Sequence, residues 1–157
     1  MKALNLFLSI LLLFTALSHT HAQEPRHKAK GGDHIIELVP GLIPHNGKTE
    51  FSLGLDYEFF PQEDHHYSIG FSYEAEYMEL TEHFFGPHVA WYFLGHQKLF
   101  FATGIGWDEE HTYWKQNIGY GYEMIFKNHF VLVPAVIIEH SPMETHSVIS
   151  LGLGFEF

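Results

Sequence analysis

The 157-residue sequence contains no cysteine. This absence excludes a disulfide framework, a zinc–thiolate site and a cysteine nucleophile. Basic residues are also scarce: 8 lysines and arginines stand against 19 aspartates and glutamates, which leaves a formal net charge of −11. A surface with this charge repels the phosphate backbone of nucleic acids, so we do not expect nucleic-acid binding.

Long apolar runs are missing beyond the amino-terminal segment. After residue 22 no stretch of ~18 apolar residues occurs, which is the length that a membrane-crossing helix needs. If the mature chain enters a membrane, it must do so as a closed β-barrel, because lipid cannot satisfy the unpaired edges of an open sheet.

The amino-terminal residues are typical of a secretory signal peptide. Lys2 supplies a positive start, and residues 4–17 form an apolar core. Thr20 and Ala22 place small residues before a cleavage site that we expect ahead of Gln23. The alternative is a retained helical anchor, but the apolar core is short for a span of about 20 residues.

Three segments are therefore predicted. Residues 1–22 form the signal peptide, the polar residues 23–33 form a flexible periplasmic segment, and residues 34–157 form a β-barrel. Cleavage removes Lys2, so the mature chain keeps 7 basic residues against 19 acidic ones and carries a net charge of −12.

From residue 34 onward, apolar and polar side chains alternate, which is typical of β-strands. In the clearest segment, Phe51, Leu53, Leu55, Tyr57 and Phe59 form one face, and Ser52, Gly54, Asp56 and Glu58 form the other. The alternation recurs in 67–77, 99–107, 114–126 and 149–157, and more weakly in 35–43, 84–94 and 130–139. This predicts an eight-stranded antiparallel barrel whose strands, about 10 residues each, suit a tilted crossing of a bilayer.

One of the weaker segments, 130–139, is apolar on both faces and contains Pro134. Proline cannot donate a hydrogen bond to the ladder of a closed sheet. We therefore predict a β-bulge at Pro134.

Alternation alone allows two kinds of barrel. A soluble lipocalin-like barrel would turn its apolar face inward, whereas a membrane barrel turns it toward lipid. Glycine, serine and alanine dominate the polar face, which suits the narrow interior of eight strands. Aromatic residues lie near the ends of the apolar faces, as in a membrane-interface girdle: Tyr57, Phe59, Tyr67, Tyr77, Trp107, Trp114 and Phe126. Both observations favour the transmembrane form.

The last segment, 150–157, alternates up to the aromatic Phe157. This ending resembles the carboxy-terminal signal of bacterial outer-membrane proteins, and the resemblance implies the barrel-assembly machinery as a partner. Together with the leader, residues 34–157 resemble the small outer-membrane β-barrels of the OmpX/OmpA type. That likeness implies a Gram-negative outer membrane, with its lipid as the surroundings of the barrel.

With the amino terminus in the periplasm, the outward connections are 44–49, 78–83, 108–112 and 140–146. Neutral imidazole suits zinc, copper or nickel, and carboxylates balance the charge, so these loops predict a divalent-cation site. Its candidate ligands are His45, His83, Asp108, Glu110, His111, His140, Glu144 and His146. The alternative is a hydrophilic rim without a metal, which the histidines at the other end of the barrel favour.

The polar faces place many carboxylates in the interior. The expected lumen acids are Glu37, Asp56, Glu58, Glu74, Glu76, Glu123 and Glu156, with Lys115 as the main cation. Buried charges need partners, water or protons. The interior is thus either a hydrated polar plug or, as an alternative function, a narrow porin-like channel.

Some eight-stranded outer-membrane barrels are enzymes that modify lipid A. The local candidate for such chemistry is Glu139-His140-Ser141, but adjacent strand residues point to opposite faces. It also departs from the His-x-Ser spacing of the lipid A deacylases. We therefore expect a non-enzymatic barrel with a structural or interaction role and no catalytic residues, with the soluble ligand-binding barrel as the remaining alternative.

Overall fold

The computed structural model describes residues 33–45, 47–61, 66–78, 81–93, 96–126 and 129–157. The predicted signal peptide, 1–22, and the segment 23–32 lie outside these residues. The strands are β1 (His34–His45), β2 (Lys48–Phe59), β3 (Tyr67–Tyr77), β4 (Thr81–Phe93), β5 (Gln97–Trp107), β6 (Thr112–Tyr122), β7 (Met124–Ile125), β8 (Phe130–His140) and β9 (Thr145–Glu156).

Among the described residues, no helix combines the length and the apolar character needed to cross a membrane.

The described strands form one closed antiparallel sheet. Sequential strands pair with one another, β1 pairs with β9, and β6 pairs with β8 to complete the ring. β6 and β7 are two parts of one strand. Gly121 pairs with Ala135 and Met124 pairs with Leu132, so both strands advance by three residues between these two pairs. Counted this way, the described part of the chain is an eight-stranded barrel, which confirms the predicted fold.

The bulge predicted at Pro134 is wrong. The register on either side of it is continuous, so no extra residue is inserted. Pro134 pairs with Leu151 of β9, while the pairing of β8 with the opposite strand lapses across Tyr122 and Glu123. The missing proline N–H thus removes pairing on one side of the strand and leaves the register intact.

The orientation of the faces agrees with the membrane form. Large apolar side chains such as Leu55, Phe71 and Ile118 point outward, with roughly half of each exposed. The alternate positions, such as Glu58 and Lys115, are buried in the interior. A sheet that keeps its apolar side outward and its charges inside is built for a surrounding solvent of lipid.

The interior contains two apolar clusters. The first, near the chain termini, consists of Ile35, Phe60, Ala90, Tyr92, Val131 and Val133. The second, near the opposite end, consists of Ile43, Ile137 and Val148. The inward ring of Phe100 packs against both clusters and therefore lies between them. We call the end with the turns at residues 47, 108–111 and 141–144 the mouth end, and the other the terminal end.

Candidate functional site

A charged cluster near the terminal end centres on Glu58. The Lys98 ammonium contacts the Glu58 carboxylate and lies 3.3 Å from Oε1 of Glu37. The other oxygen of Glu58 accepts hydrogen bonds from the hydroxyl of Tyr92, at 2.6 Å, and from the hydroxyl of Ser68. Glu58 is therefore a fully buried carboxylate whose charge is satisfied by a cation and two hydroxyl donors.

His88 lies beside this terminal-end cluster. Its Nε2 is 3.9 Å from the Glu58 carboxylate, and its Nδ1 is 2.8 Å from the hydroxyl of Ser72. The His88 ring is buried in the interior.

A second cluster lies toward the mouth end and centres on Lys115. The Lys115 ammonium contacts the carboxylates of both Glu76 and Glu139. His146 approaches the same pair, with Nε2 3.0 Å from Oε2 of Glu76 and 3.6 Å from Oε2 of Glu139. Its other ring nitrogen, Nδ1, lies 3.1 Å from Oε1 of Glu144.

The strand register explains why these groups converge. Glu139 and His146 are direct partners across β8 and β9, so their side chains leave the sheet on the same face. Lys115 comes from β6, beside β8, and Glu76 comes from β3 across the interior. The Phe84 ring lies beneath the ammonium, with its centroid 5.9 Å from Nζ, so Lys115 has aromatic surface on one side and carboxylates on the other.

Buried polar atoms without a hydrogen bond are concentrated in this mouth-end cluster. Six of the fourteen such atoms in the described residues belong to it: Glu76 Oε2, both carboxylate oxygens of Glu139, Glu144 Oε1 and both ring nitrogens of His146. Both ring nitrogens of His146 lie at ion-pair distances from carboxylate oxygens of this set, and Oε2 of Glu139 also contacts the Lys115 ammonium. Such a concentration is unusual, since nearly all buried polar atoms in proteins find partners.

The structure brings together part of the predicted loop site. His45 Nδ1 lies 3.8 Å from Oε2 of Glu144, whose other oxygen faces His146. These three residues form a chain from the rim of the mouth down to the buried carboxylates.

The remaining predicted ligands lie elsewhere. Asp108 accepts hydrogen bonds from the backbone N–H groups of Glu110, at 2.7 Å, and His111, at 2.6 Å, and so organises its own turn. His83 contacts the hydroxyl of Tyr73 at 3.0 Å and belongs to the outward face. His140 is also outward, with Nδ1 2.7 Å from the hydroxyl of Thr145. The eight predicted ligands therefore do not meet at one point.

Two residues of the interior were not among the predicted lumen charges. Lys98 is the cation of the terminal-end cluster, and Glu139 is a carboxylate of the mouth-end cluster. Lys98 is in phase with the inward positions of β5, so extending the predicted segment 99–107 by one residue toward the amino terminus would have found it. Glu139 lies at the end of the predicted segment 130–139, which is apolar on both faces, so alternation does not assign it to a face.

The segment Glu139-His140-Ser141 does not form a catalytic triad. Glu139 points inward to Lys115, and His140 points outward. The Ser141 hydroxyl accepts the backbone N–H groups of Met143 and Glu144, each at 3.2 Å, and so stabilises the turn.

No family model and no curated protein sequence matches the chain. Among solved structures, it is similar to the amino-terminal β-barrel domain of Pseudomonas aeruginosa OprF, with a TM-score of 0.64 and 14% identity over 81% of this chain and 98% of that one. It has the fold of a small outer-membrane β-barrel.

Two further structures share this fold. The attachment invasion locus protein Ail of Yersinia pestis has a TM-score of 0.56 and 13% identity, over 82% of this chain and 100% of that one. The outer-membrane protein AlkL, solved in lipid bilayers, has a TM-score of 0.56 and 10% identity, over 88% of this chain and 97% of that one. The predicted resemblance to the OmpX/OmpA type is thereby confirmed at the level of the fold.

Proposed function

We propose that the chain is an integral outer-membrane protein of a Gram-negative bacterium, exported by its leader, with a structural or interaction role. The observation that carries this proposal is the outward apolar belt on a closed barrel with a charged interior. Contiguous apolar surface beyond a few hundred Å² is rare on soluble monomers and marks contact with lipid or a partner. A closed barrel with short mouth-end turns suits contact with lipid on all sides.

The filled interior supports a structural role over conduction. Phe100 lies between two apolar clusters, and the ion pairs of Lys98 and Lys115 occupy the interior beside them. An eight-stranded barrel has an interior just wide enough for its own side chains. A channel would require these side chains to separate.

The assembly partner expected from the last strand is part of the proposal. Phe157 has 60% of its surface exposed, while its backbone exchanges hydrogen bonds with His34 at 2.9 and 3.0 Å. The ring is thus accessible at the terminal end, where the barrel-assembly machinery would bind the last strand.

Location and conduction can be tested separately. We expect the protein to resist carbonate extraction from outer-membrane fractions and to migrate differently on gels before and after heating. A mature chain that stays folded and monomeric in buffer without detergent would instead support the soluble lipocalin-like barrel. In planar bilayers we expect no stable conductance steps, and reproducible steps would favour the channel.

A further inference from the structure

Three ligating side chains meet beneath the mouth of the barrel. In the described part of the chain, ligand atoms of Glu76, Glu139 and His146 all lie within 4.8 Å of one another. Glu76 and Glu139 are each 1% exposed, and the oxygens that face His146 accept no hydrogen bond. The Lys115 ammonium contacts Oε2 of Glu139 and Oε1 of Glu76, so Oε2 of Glu76 is the oxygen facing His146 that has neither a hydrogen bond nor a lysine contact. A buried acceptor of this kind, with a second carboxylate and an imidazole beside it, is an arrangement that a bound cation satisfies.

The donor types select the class of cation. Imidazole nitrogen suits zinc and its neighbours among the transition metals, whereas calcium and magnesium prefer all-oxygen sites. Two carboxylates and one imidazole supply three protein ligands, which leaves a coordination position for water.

Glu144 stands where a positioning residue for such a site belongs. Its Oε1 lies 3.1 Å from Nδ1 of His146, the ring nitrogen that faces away from Glu76 and Glu139. A carboxylate on the far nitrogen of a ligating histidine fixes the tautomer and leaves Nε2 to bind the metal.

The cluster also offers Lys115 a further carboxyl partner. Glu74 lies beside Glu139 and Lys115, so Glu74, Glu76 and Glu139 present three carboxylates to one ammonium. The ammonium that now contacts Glu76 and Glu139 has Glu74 as an alternative partner.

We propose that Glu76, Glu139 and His146 bind one divalent transition-metal ion, for which zinc is the probe. Glu144 positions the imidazole, and Lys115 moves from the binding carboxylates to Glu74. The site lies below the rim and takes only Glu144 and His146 from the loop residues predicted by sequence. It deepens the proposed function, because access from the mouth gives the ion a route from outside the cell.

The test is a calorimetric titration of zinc into the untagged barrel folded in detergent micelles. We expect saturable binding of one ion per chain at micromolar concentration. Glu139→Gln and His146→Gln should each weaken binding at least ~10-fold, and Glu144→Gln by roughly 10- to 100-fold. His111→Gln and His140→Gln, which change histidines outside the site, should leave the affinity unchanged.

X-ray absorption at the zinc edge of the wild-type protein gives a readout that needs no variant. We expect a first shell of oxygen and nitrogen with the outer-shell scattering of a single imidazole. Two or more imidazoles, or binding that survives His146→Gln and disappears in His111→Gln, would overturn the site. Absence of saturable heat below about millimolar zinc would do the same, since a site with three protein ligands binds far more tightly.

Heat-modifiable migration on gels identifies variants that have not folded. Glu76→Gln, which changes another ligand of the site, replaces any such variant in the zinc titration. The titration in micelles does not depend on where the protein lies in the cell. If the protein fractionates with the outer membrane but does not bind zinc, the site is rejected and the proposed location stands. If it binds zinc but does not fractionate with the outer membrane, the location is rejected and the site stands.

Discussion

The ring of Phe100 lies against the backbone of Gly119, its direct partner across β5 and β6. A Cβ atom at position 119 would overlap this ring. Because Phe100 packs against both apolar clusters, its contact with Gly119 holds together the middle of the barrel interior.

Gly119→Ala should therefore destabilise the barrel. The added methyl group forces Phe100 out of its position, and overpacking of this kind costs about 1–3 kcal/mol. The free energy of unfolding is measured with urea in lipid vesicles. The matched control is Gly54→Ala, whose Cβ would meet its nearest neighbour, Val39, at 3.3 Å, and it should cost less. Equal losses for both variants would contradict the role of the Phe100 contact.

Lys98→Met should be strongly destabilising. It leaves the buried carboxylates of Glu58 and Glu37 without their cation, and breaking a buried ion pair from one side costs about 3–5 kcal/mol. The same urea measurement applies. Lys48→Met, at an exposed position, should change stability by at most about 0.5 kcal/mol.

The double variant Lys98→Met with Glu58→Gln separates charge from packing. Removing the charge of Glu58 should restore part of the loss, because an amide still accepts the hydroxyl groups of Tyr92 and Ser68. Additive losses in this double-mutant cycle would show that the ion pair contributes little.

Phe71→Arg tests which solvent meets the outer face. Phe71 lies near the middle of β3 and is 53% exposed. In a membrane the substitution should cost about 2–4 kcal/mol and reduce insertion, since arginine at the midplane of the lipid face is unfavourable. Thr112→Arg, exposed at the start of β6, should cost at most about 1 kcal/mol. If Phe71→Arg were neutral, that face would lie in water.

Asp108 should titrate below the ordinary range. Hydrogen bonds from the backbone N–H groups of Glu110 and His111 lower the pKa of the Asp108 carboxyl from its usual 3.8. Because the pKa of Asp108 is lower in the folded state, these hydrogen bonds stabilise the fold at pH values above the pKa of the unfolded chain. This stabilisation is lost as the pH falls through the pKa of the folded state. The turn should therefore stay intact at pH 5.

Carboxyl ¹³C NMR checks this directly, with an expected midpoint below 3.8 for Asp108. The amide shifts of Glu110 and His111 should follow the same midpoint, and in Asp108→Asn they should lose this titration. A midpoint above 3.8 would show that the hydrogen bonds do not form in solution.

The outcome for Pro134 illustrates the limit of local reasoning about the ladder. Proline lacks an N–H, and sequence reasoning placed an extra residue there to accommodate it. β8 instead keeps its register and loses its pairing on one side. β1 and β4 do the same at Pro40 and Pro87, where the β1–β9 and β4–β5 pairings are interrupted. Neighbouring pairs on both sides of each gap hold the register, which a single strand cannot reveal.

The candidate site was predictable only in part, for a similar reason. Loop composition pointed to histidine and carboxylate at one end, and His146 with Glu144 is indeed there. Their partners, Glu76 and Glu139, come from inward positions of two strands that are distant in sequence. His83 and His140 belong to the outward face. Their direction is set by their position in the alternation of β4 and β8, which could not be read from the predicted loops.

The sequence by itself determined which side chains share a face, because alternation along a strand is a local consequence of the extended backbone. It thereby determined the barrel class and the division between an apolar outside and a polar inside. Which inward charges meet was decided only by the tertiary structure. Closing the ring across β6 and β8 sets the stagger between distant strands, and that non-local geometry brings Lys115, Glu76 and His146 together.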